Sequence, residues 1–426
     1  MLDINIIRNS PNIVKKNLEK RKDNEKIKWL EDLLKEDKEA LSLKKEIDDL
    51  RHERNIISEK INQLKKQGKN ASAEIKRAQE LPNRIKELED SYNKIQNKIH
   101  FYLMRIPNIL HESVPYGKDS SKNEEIRRWG KIPKFNFDLI PHGELLEKLD
   151  LADFQRATKV SGAGFYYLKN ELALLDLALQ RFAIDFLIKK DFTLIEPPLM
   201  LRKEVYEGVT SLDDFENMMY KIENEDFYLI ATSEHPIVAM FKDEVLEEKK
   251  LPIKFVGVSP CFRKEIGSHG VDTRGIFRVH QFNKVEQVIF CKPEDSWKIF
   301  EDIQKNSEQM LQQLKIPYRV VSICTGDIGI VAAKKYDIEA YFPREKGYRE
   351  VTSCSNCTSY QAVRLNIRYK KNNEKVYIHT LNNTGIATAR VMRAIIENYQ
   401  RKDGTIKIPT VLQKYMNGMK IIGAKK

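Results

Sequence analysis

The densest chemistry in the chain lies in residues 261–286, CFRKEIGSHGVDTRGIFRVHQFNKVE, whose pattern reads as strand, ten-residue loop, strand. Period-2 geometry sets Arg263 and Glu265 on one face of the first strand. In the second it sets Arg278, His280, Phe282, Lys284 and Glu286 on one face, with Phe277, Val279 and Val285 behind. Paired as a hairpin, the two strands would line one surface with a guanidinium, carboxylates and a flat ring. Such a surface suits a triphosphate, an ammonium group and a purine. An exposed sheet face with ordinary salt bridges has the same spacing, so spacing alone leaves both readings open.

Other segments repeat the theme. Thr232 and Glu234 in ATSE form an i, i+2 pair able to enter one cleft. Glu350, Thr352 and Ser353 in REVTS offer the carboxylate and hydroxyl oxygens that hard cations take. Arg390 falls in the first turn of a helix, where a cation opposes the helix dipole and calls for a compensating anion. The ATSE pair and the REVTS segment also read as ordinary surface chemistry. No GxxxxGK[ST] loop occurs, and Gly162-Ala163-Gly164 lacks the frame of a dinucleotide fold, so a nucleotide here must be held by strands and side chains. Cys354 and Cys357 form a CxxC, yet Cys261, Cys291 and Cys324 are not spaced as its other half; reduced structural thiols are expected, and no zinc.

The elements that must position these residues fall into two unlike parts. Over the first ~105 residues helical periodicity dominates. Ser10-Pro11 opens a short helix, with serine as N-cap. Leu43, Ile47, Leu50, Arg54, Ile57, Ile61 and Leu64 alternate spacings of four and three, as do Leu81, Ile85, Leu88, Tyr92, Ile95, Ile99 and Tyr102. QGKNAS between them, with Gly68 as a helix cap, turns the chain back, and Pro82 marks a kink or the start of the regular part. The expectation is an antiparallel hairpin over about residues 30–104, ~50 Å long. Residues 60–77 hold Lys60, Lys65, Lys66, Lys69, Lys76 and Arg77 against Glu74 alone, a local excess of five positive charges. A coiled coil for dimerisation and a basic-tipped arm that follows nucleic-acid phosphates both fit.

Beyond VPYGKDSSKN the texture changes. Glu171–Lys190 reads as a helix with Leu172, Leu175, Leu179, Phe182, Ala183 and Phe186 on one side. Strands are expected in DFTLIEPPLM, FYLIATSEH, PIKFVGVSPCFRKE, IFRVHQFNKVEQVIF, YRVVSI, YREVTSCS and KVYIHTL, then a helix over Ile386–Gln400. Adjacent strand pairs with grouped helices predict an α+β fold with a mainly antiparallel sheet.

Composition sets the bounds. With 426 residues, 41% apolar and 32% charged, the chain suits two or three globular domains. No apolar run approaches the ~20 residues of a membrane span, and MLDINIIRNS lacks a secretory core, so a cytoplasmic protein is expected. A net charge of +12 favours polyanionic partners or a lysine-rich proteome equally.

At these residues the sequence resembles the seryl-tRNA synthetases, a family of class II aminoacyl-tRNA synthetases, over nearly its whole length. MLDINIIRNSPNIVKKNL looks like the family's opening, and FRKEIGSHGVDTRGIFRVHQFNKVE like motif 2 in its seryl form. IEPPLM resembles the end of motif 1, TSE the serine loop, REVTSCSNCTSYQAVRLNIRY the family's SSCSN segment, LNNTGIATARVMRAIIENYQ motif 3, and PTVLQKYMNG the C-terminal end.

The resemblance implies a class II antiparallel sheet core flanked by helices (111–426) and an N-terminal tRNA-binding unit (1–110) bearing a coiled-coil arm. It also implies a homodimer built through motif 1. Serine would be activated with ATP and Mg²⁺ to seryl-adenylate and passed to tRNA(Ser), with tRNA(Sec) a second candidate. Arg263, Glu265 and Arg390 would be catalytic. ATP would meet Arg263, Lys264, Glu265, Val279 (through its backbone), Phe282, Glu350, Val351, Thr352, Ser353 and Arg390, with Mg²⁺ on Glu350 and Ser353. Serine would meet Thr232, Ser233, Glu234, Arg263, Glu286 and Thr384, and the tRNA would meet Lys65, Lys66 and Lys69.

Two departures stand out: Thr384 where serine is common, and Ala389 where glycine is frequent. The zinc-dependent branch of the family is not what the chain resembles. An enzyme loading a carrier other than tRNA, or an inactive RNA-binding relative, would share much of this sequence; the retained Arg263, Glu265, Glu286, Glu350 and Arg390 argue against inactivity.

Overall fold

The computed structural model describes residues 1–211, 218–265 and 275–423. It divides into two units, Met1–Ile109 and Leu110–Lys426.

In the first unit, short helices Ile4–Asn9 and Pro11–Lys20 precede two long ones, α1 (Asn24–Lys66) and α2 (Ser72–Arg105). Pro11 sits at the first helical position as expected, but the Ser10 side chain makes no capping bond; Asp3 and Asp23 cap their helices instead. The seam is buried at Ile47, Leu81, Ile85, Leu88, Ile95 and Ile99, and α2 continues through Pro82. Gly68 turns the chain in the left-handed region (φ 66°), and Asn70 Oδ1 accepts from the Ser72 amide at 2.9 Å to begin the return. Along the shaft the two helices are cross-linked by Lys98–Glu36 (2.8 Å), Arg84–Glu46 (3.1 Å), Arg51–Glu89 (2.8 Å), Arg77–Glu53 (2.8 Å) and Lys60–Glu74 (2.9 Å).

The second unit is built on an eight-stranded sheet: β1 (Glu124–Trp129), β2 (Thr193–Ile195), β3 (Ile253–Phe262), β4 (Gln281–Cys291), β5 (Tyr318–Ser322), β6 (Lys334–Phe342), β7 (Gly347–Asn356) and β8 (His379–Ala387). Their spatial order is β1-β5-β6-β7-β8-β4-β3-β2, antiparallel throughout except where β2 joins β3. The expected α+β fold with a mainly antiparallel sheet is present. Helices α3 (Asn170–Ile188), α4 (Ser296–Gln313) and α5 (Thr388–Asn398) bury their apolar stripes against one large core, which includes Leu172, Leu175, Leu179, Phe182, Phe300, Ile303, Val391 and Ile395. Phe186 is only partly buried there, and Leu177 is 61% exposed.

Three expectations are corrected. The second motif strand begins at Gln281, so Arg278 and His280 precede it and do not share the face of Phe282. His280 is stacked on Phe165 (ring centroids 5.2 Å apart) and its Nδ1 lies 2.7 Å from the Tyr220 hydroxyl, while Arg278 is exposed. The first strand ends at Phe262 and Glu265 has a left-handed φ of 47°, so strand alternation does not carry to it. Strand β6 was not expected at all. Most of the loop expected between the two motif strands, residues 266–274, lies outside the described residues.

Candidate active site

One face of the sheet floors a cavity of about 630 Å³. Strand register explains which side chains reach it. Thr384 of β8 lies opposite Glu286 of β4, which lies opposite Gly257 of β3; directly opposed residues share a face. Lys284 and Phe282 precede Glu286 at two-residue steps, and Asn382 precedes Thr384 in the same way. Gly257 is required where it stands: a Cβ there would lie 2.5 Å from Ser233 Oγ and from Ile237 Cδ1. Its absence lets the short helix Glu234–Ala239 settle on the sheet and present Thr232 and Glu234 to the cavity.

The Glu350 segment reaches the cavity by a different device. Register slips by one residue between β6 and β7, where Ile338 and Glu339 oppose Thr352 and Glu350, leaving Val351 as the extra residue of a β-bulge. Without it Glu350 would share the face of Thr352, which is buried on the far side at 2% exposure. With it, Glu350 and Ser353 line the cavity together, beside Lys335 of β6.

Of the residues expected at a site, Thr232, Glu234, Arg263, Phe282, Glu286, Glu350, Val351, Ser353, Thr384 and Arg390 border this one cavity. Ser233 packs on Gly257, and Thr352 and Val279 are buried away from it. Lys264 and Glu265 lie past the end of β3, the Lys264 ammonium 5.9 Å from the Tyr220 ring centroid. Lys65, Lys66 and Lys69 are exposed at the tip of the helical hairpin. Lys60 and Arg77 nearby are ion-paired, whereas those three have no carboxylate partner among the described residues.

The lining separates into two electrostatic groups. In the first, the Arg390 guanidinium bonds both the Glu350 carboxylate (3.1 Å) and its carbonyl (3.2 Å). This contact answers the dipole cost of a cation at the start of α5. Burial pushes the Glu350 carboxyl up, but Arg390, Lys335 and Arg263 outweigh it and hold it well below the ordinary range. In the second group, Glu234 Oε1 accepts from Gln361 Nε2 at 3.0 Å and from Asn382 Nδ2 at 2.9 Å. Burial and the neighbouring Glu286 carboxylate raise Glu234 to about 7, against the pull of Lys284, Gln361 and Arg263. Glu286 is itself paired with Lys284 at 2.6 Å. His235 bonds the Tyr206 hydroxyl at 2.9 Å, and burial with Lys284 and Arg263 lowers it to about 3, so it stays neutral.

Arg263 belongs to both groups. Its guanidinium donates to the Ala231 carbonyl at 3.3 Å, lies 5.3 Å from the Phe282 ring centroid, and acts on Glu234 and Glu350 alike. A ligand with an ammonium end, a central anion and a flat heterocycle matches this lining. Glu350 and Ser353 supply hard oxygen donors on a shared face, the chemistry a Mg²⁺ ion takes. Sequence reasoning missed Lys335 and the two amides, Gln361 and Asn382, that hold Glu234. The alternation of buried Tyr336, Ile338, Ala340 and Phe342 with Lys335, Asp337 and Glu339 was the signal for β6.

Comparison with known proteins identifies the family. Residues 1–110 match the seryl-tRNA synthetase N-terminal domain, and residues 218–399 match the tRNA synthetase class II core domain (G, H, P, S and T). The chain is 56% identical to the serine–tRNA ligase of Methanocella arvoryzae over 99% of its own length and 100% of that protein's. Its fold superposes on the seryl-tRNA synthetase of Pyrococcus horikoshii complexed with ATP (TM-score 0.93, 51% identity, 99% of each chain). It also superposes on the cytoplasmic serine–tRNA ligase of Naegleria fowleri in complex with AMP (TM-score 0.88, 34% identity, 99% and 98%).

Proposed function

The chain belongs to the seryl-tRNA synthetase family, and we propose that it is a serine–tRNA ligase whose 630 Å³ cavity joins L-serine to ATP and passes the seryl group to tRNA(Ser). The observation that carries this reading is the position of Arg263 between an acidic amino-acid pocket and the Glu350–Arg390 pair. Serine enters with its ammonium toward Glu234 and Glu286 and its hydroxyl within reach of Thr232 or Thr384. Its carboxylate is then directed at Arg263. ATP lies with adenine on Phe282, its α-phosphate at Arg263 and its outer phosphates toward Arg390.

A serine carboxylate oxygen attacks the α-phosphorus, the bond to the β-phosphate oxygen breaks, and pyrophosphate leaves. No general base is needed, since the nucleophile is already ionised. Negative charge grows on the non-bridging α-phosphate oxygens, where a fixed guanidinium does most for the transition state. Glu350 and Ser353 would hold Mg²⁺, which when bound neutralises phosphate charge. The terminal ribose hydroxyl of the tRNA then attacks the acyl carbon and AMP leaves. Alanine lacks the hydroxyl, and a buried acceptor left unpaired costs roughly 1–3 kcal/mol, which separates the two amino acids.

The unpaired Lys65, Lys66 and Lys69 support contact of the arm tip with tRNA phosphates. We place the enzyme in the cytoplasm as a homodimer; no helix among the described residues is long and apolar enough to cross a membrane.

The test is ATP–pyrophosphate exchange with each of the twenty amino acids, followed by charging of bulk tRNA. Exchange with serine and acylation of tRNA are expected. Exchange with another amino acid, or seryl-adenylate that no tRNA accepts, would overturn the assignment.

A further inference from the structure

Four polar side chains are buried together beneath the amino-acid pocket, on the face of the sheet away from the cavity. They are Gln287 of β4, Asn383 of β8, and Asn306 and Ser307 of α4, all at most 6% exposed. Polar groups in an apolar interior are destabilising unless paired, and these are paired almost completely among themselves. Asn383 Nδ2 donates to the Ile303 carbonyl (2.7 Å) and to Ser307 Oγ (2.9 Å). Gln287 Nε2 donates to the same two oxygens (3.3 and 3.1 Å), and Asn306 Nδ2 donates to Gln287 Oε1 (2.8 Å). With both amides arriving as donors, the Ser307 hydroxyl is left to donate outward, and it does so to the Thr384 carbonyl at 2.8 Å.

That carbonyl lies at a second irregularity of the sheet. Register between β8 and β4 slips between Thr384 and Ile386, so Gly385 is the extra residue, and a Cβ on it would stand 3.1 Å from the Val285 carbonyl. A bulge interrupts the ladder and lets the strand twist locally. Thr384, which borders the cavity opposite Glu286, is therefore fixed by α4 as well as by its neighbouring strand.

We propose that Ser307 is a positioning residue for the amino-acid site: through its bond to the Thr384 carbonyl it pins the bulge that aims Thr384 at the incoming amino acid. Gln287, Asn383 and Asn306 hold Ser307 in the rotamer that makes this bond. The proposal rests on the serine-activating role stated above, and it separates recognition of the amino acid from recognition of the nucleotide. The Glu350–Arg390 group hangs from β7 and α5, and Ser307 bonds neither.

The experiment is ATP–pyrophosphate exchange by the full chain, with serine and ATP varied in turn, for wild type, Ser307→Ala and Ser307→Cys. Serine-dependent exchange by wild type upholds the underlying function; its absence would defeat that reading, whatever the variants do. Given it, Ser307→Ala should raise KM for serine roughly 10-fold while KM for ATP stays within about twofold. Ser307→Cys keeps the volume with a weaker donor and should move serine KM in the same direction by less, which covers the case where the alanine variant does not fold. A purely structural role would lower thermal stability and active fraction with serine KM unchanged, or raise both KM values together. Either result in the variant that folds overturns the proposal.

Discussion

Glu234→Gln offers a stability measurement that reports on the amino-acid pocket without any substrate. Burial and Glu286 hold the Glu234 carboxyl at about 7 against an ordinary 4.5. A carboxyl raised in this way favours the folded state below about pH 4.5, and that contribution is lost as pH rises through about 7. At ~1.4 kcal/mol per pH unit, the interval amounts to roughly 3 kcal/mol at about pH 8. Glutamine keeps the oxygen that accepts from Gln361 and Asn382 but carries no charge at any pH. Urea or thermal unfolding of the ligand-free protein should therefore show the variant more stable than wild type at about pH 8, by up to roughly 3 kcal/mol, and nearly equal to it at about pH 4. Serine-dependent exchange should fall by about 10–100-fold at the same time, because the ammonium loses a charged partner. Wild-type and variant stabilities that run parallel from about pH 4 to 8 would show that burial and Glu286 do not raise the Glu234 carboxyl as described. The physical logic is a site kept poorly neutralised until a cation enters it.

Other substitutions divide the molecule by function. Reversing Lys65, Lys66 and Lys69 to glutamate should reduce tRNA charging about 100-fold while leaving ATP–pyrophosphate exchange intact; equal loss of both would refute the separation. Arg263→Ala should lower exchange by about 10²–10³, measured at saturating serine and ATP, and unchanged rates would place the phosphate contact elsewhere. Gly257→Ala, with its Cβ forced against Ser233 and Ile237, should destabilise the second unit by about 1–3 kcal/mol and raise serine KM, as read by unfolding and exchange.

How far the sequence could be read depended on whether strand alternation held. Phe282, Lys284 and Glu286 face the cavity because β4 is regular there, and their positions follow from counting by two. Arg278 and His280 fail the same count because the strand starts later, at Gln281; the Gly164–Phe165 segment receives His280, whose amide donates to the Gly164 carbonyl at 2.9 Å. Glu350 and Ser353 are three apart and share a face only through the bulge at Val351, which depends on a partner strand that was itself unrecognised. Gln361 and Asn382 lie 127 and 148 residues from Glu234, and no local pattern joins them. The helical hairpin was the most legible part, since its seven-residue seam is local and repeats many times.

The ion pairs along the hairpin have one more consequence. Each has an exposed cation and is worth little alone. Sliding α2 by seven residues would keep apolar residues facing each other, yet it would set Arg51 against Pro82 or Gln96 and re-form a minority of the five pairs, Glu36–Arg105 with Glu53–Arg84 in one direction and Glu46–Arg77 in the other. The charges thus serve as a ruler: greasy contacts let the two rods touch, and the ionic marks say at which graduation they must stop.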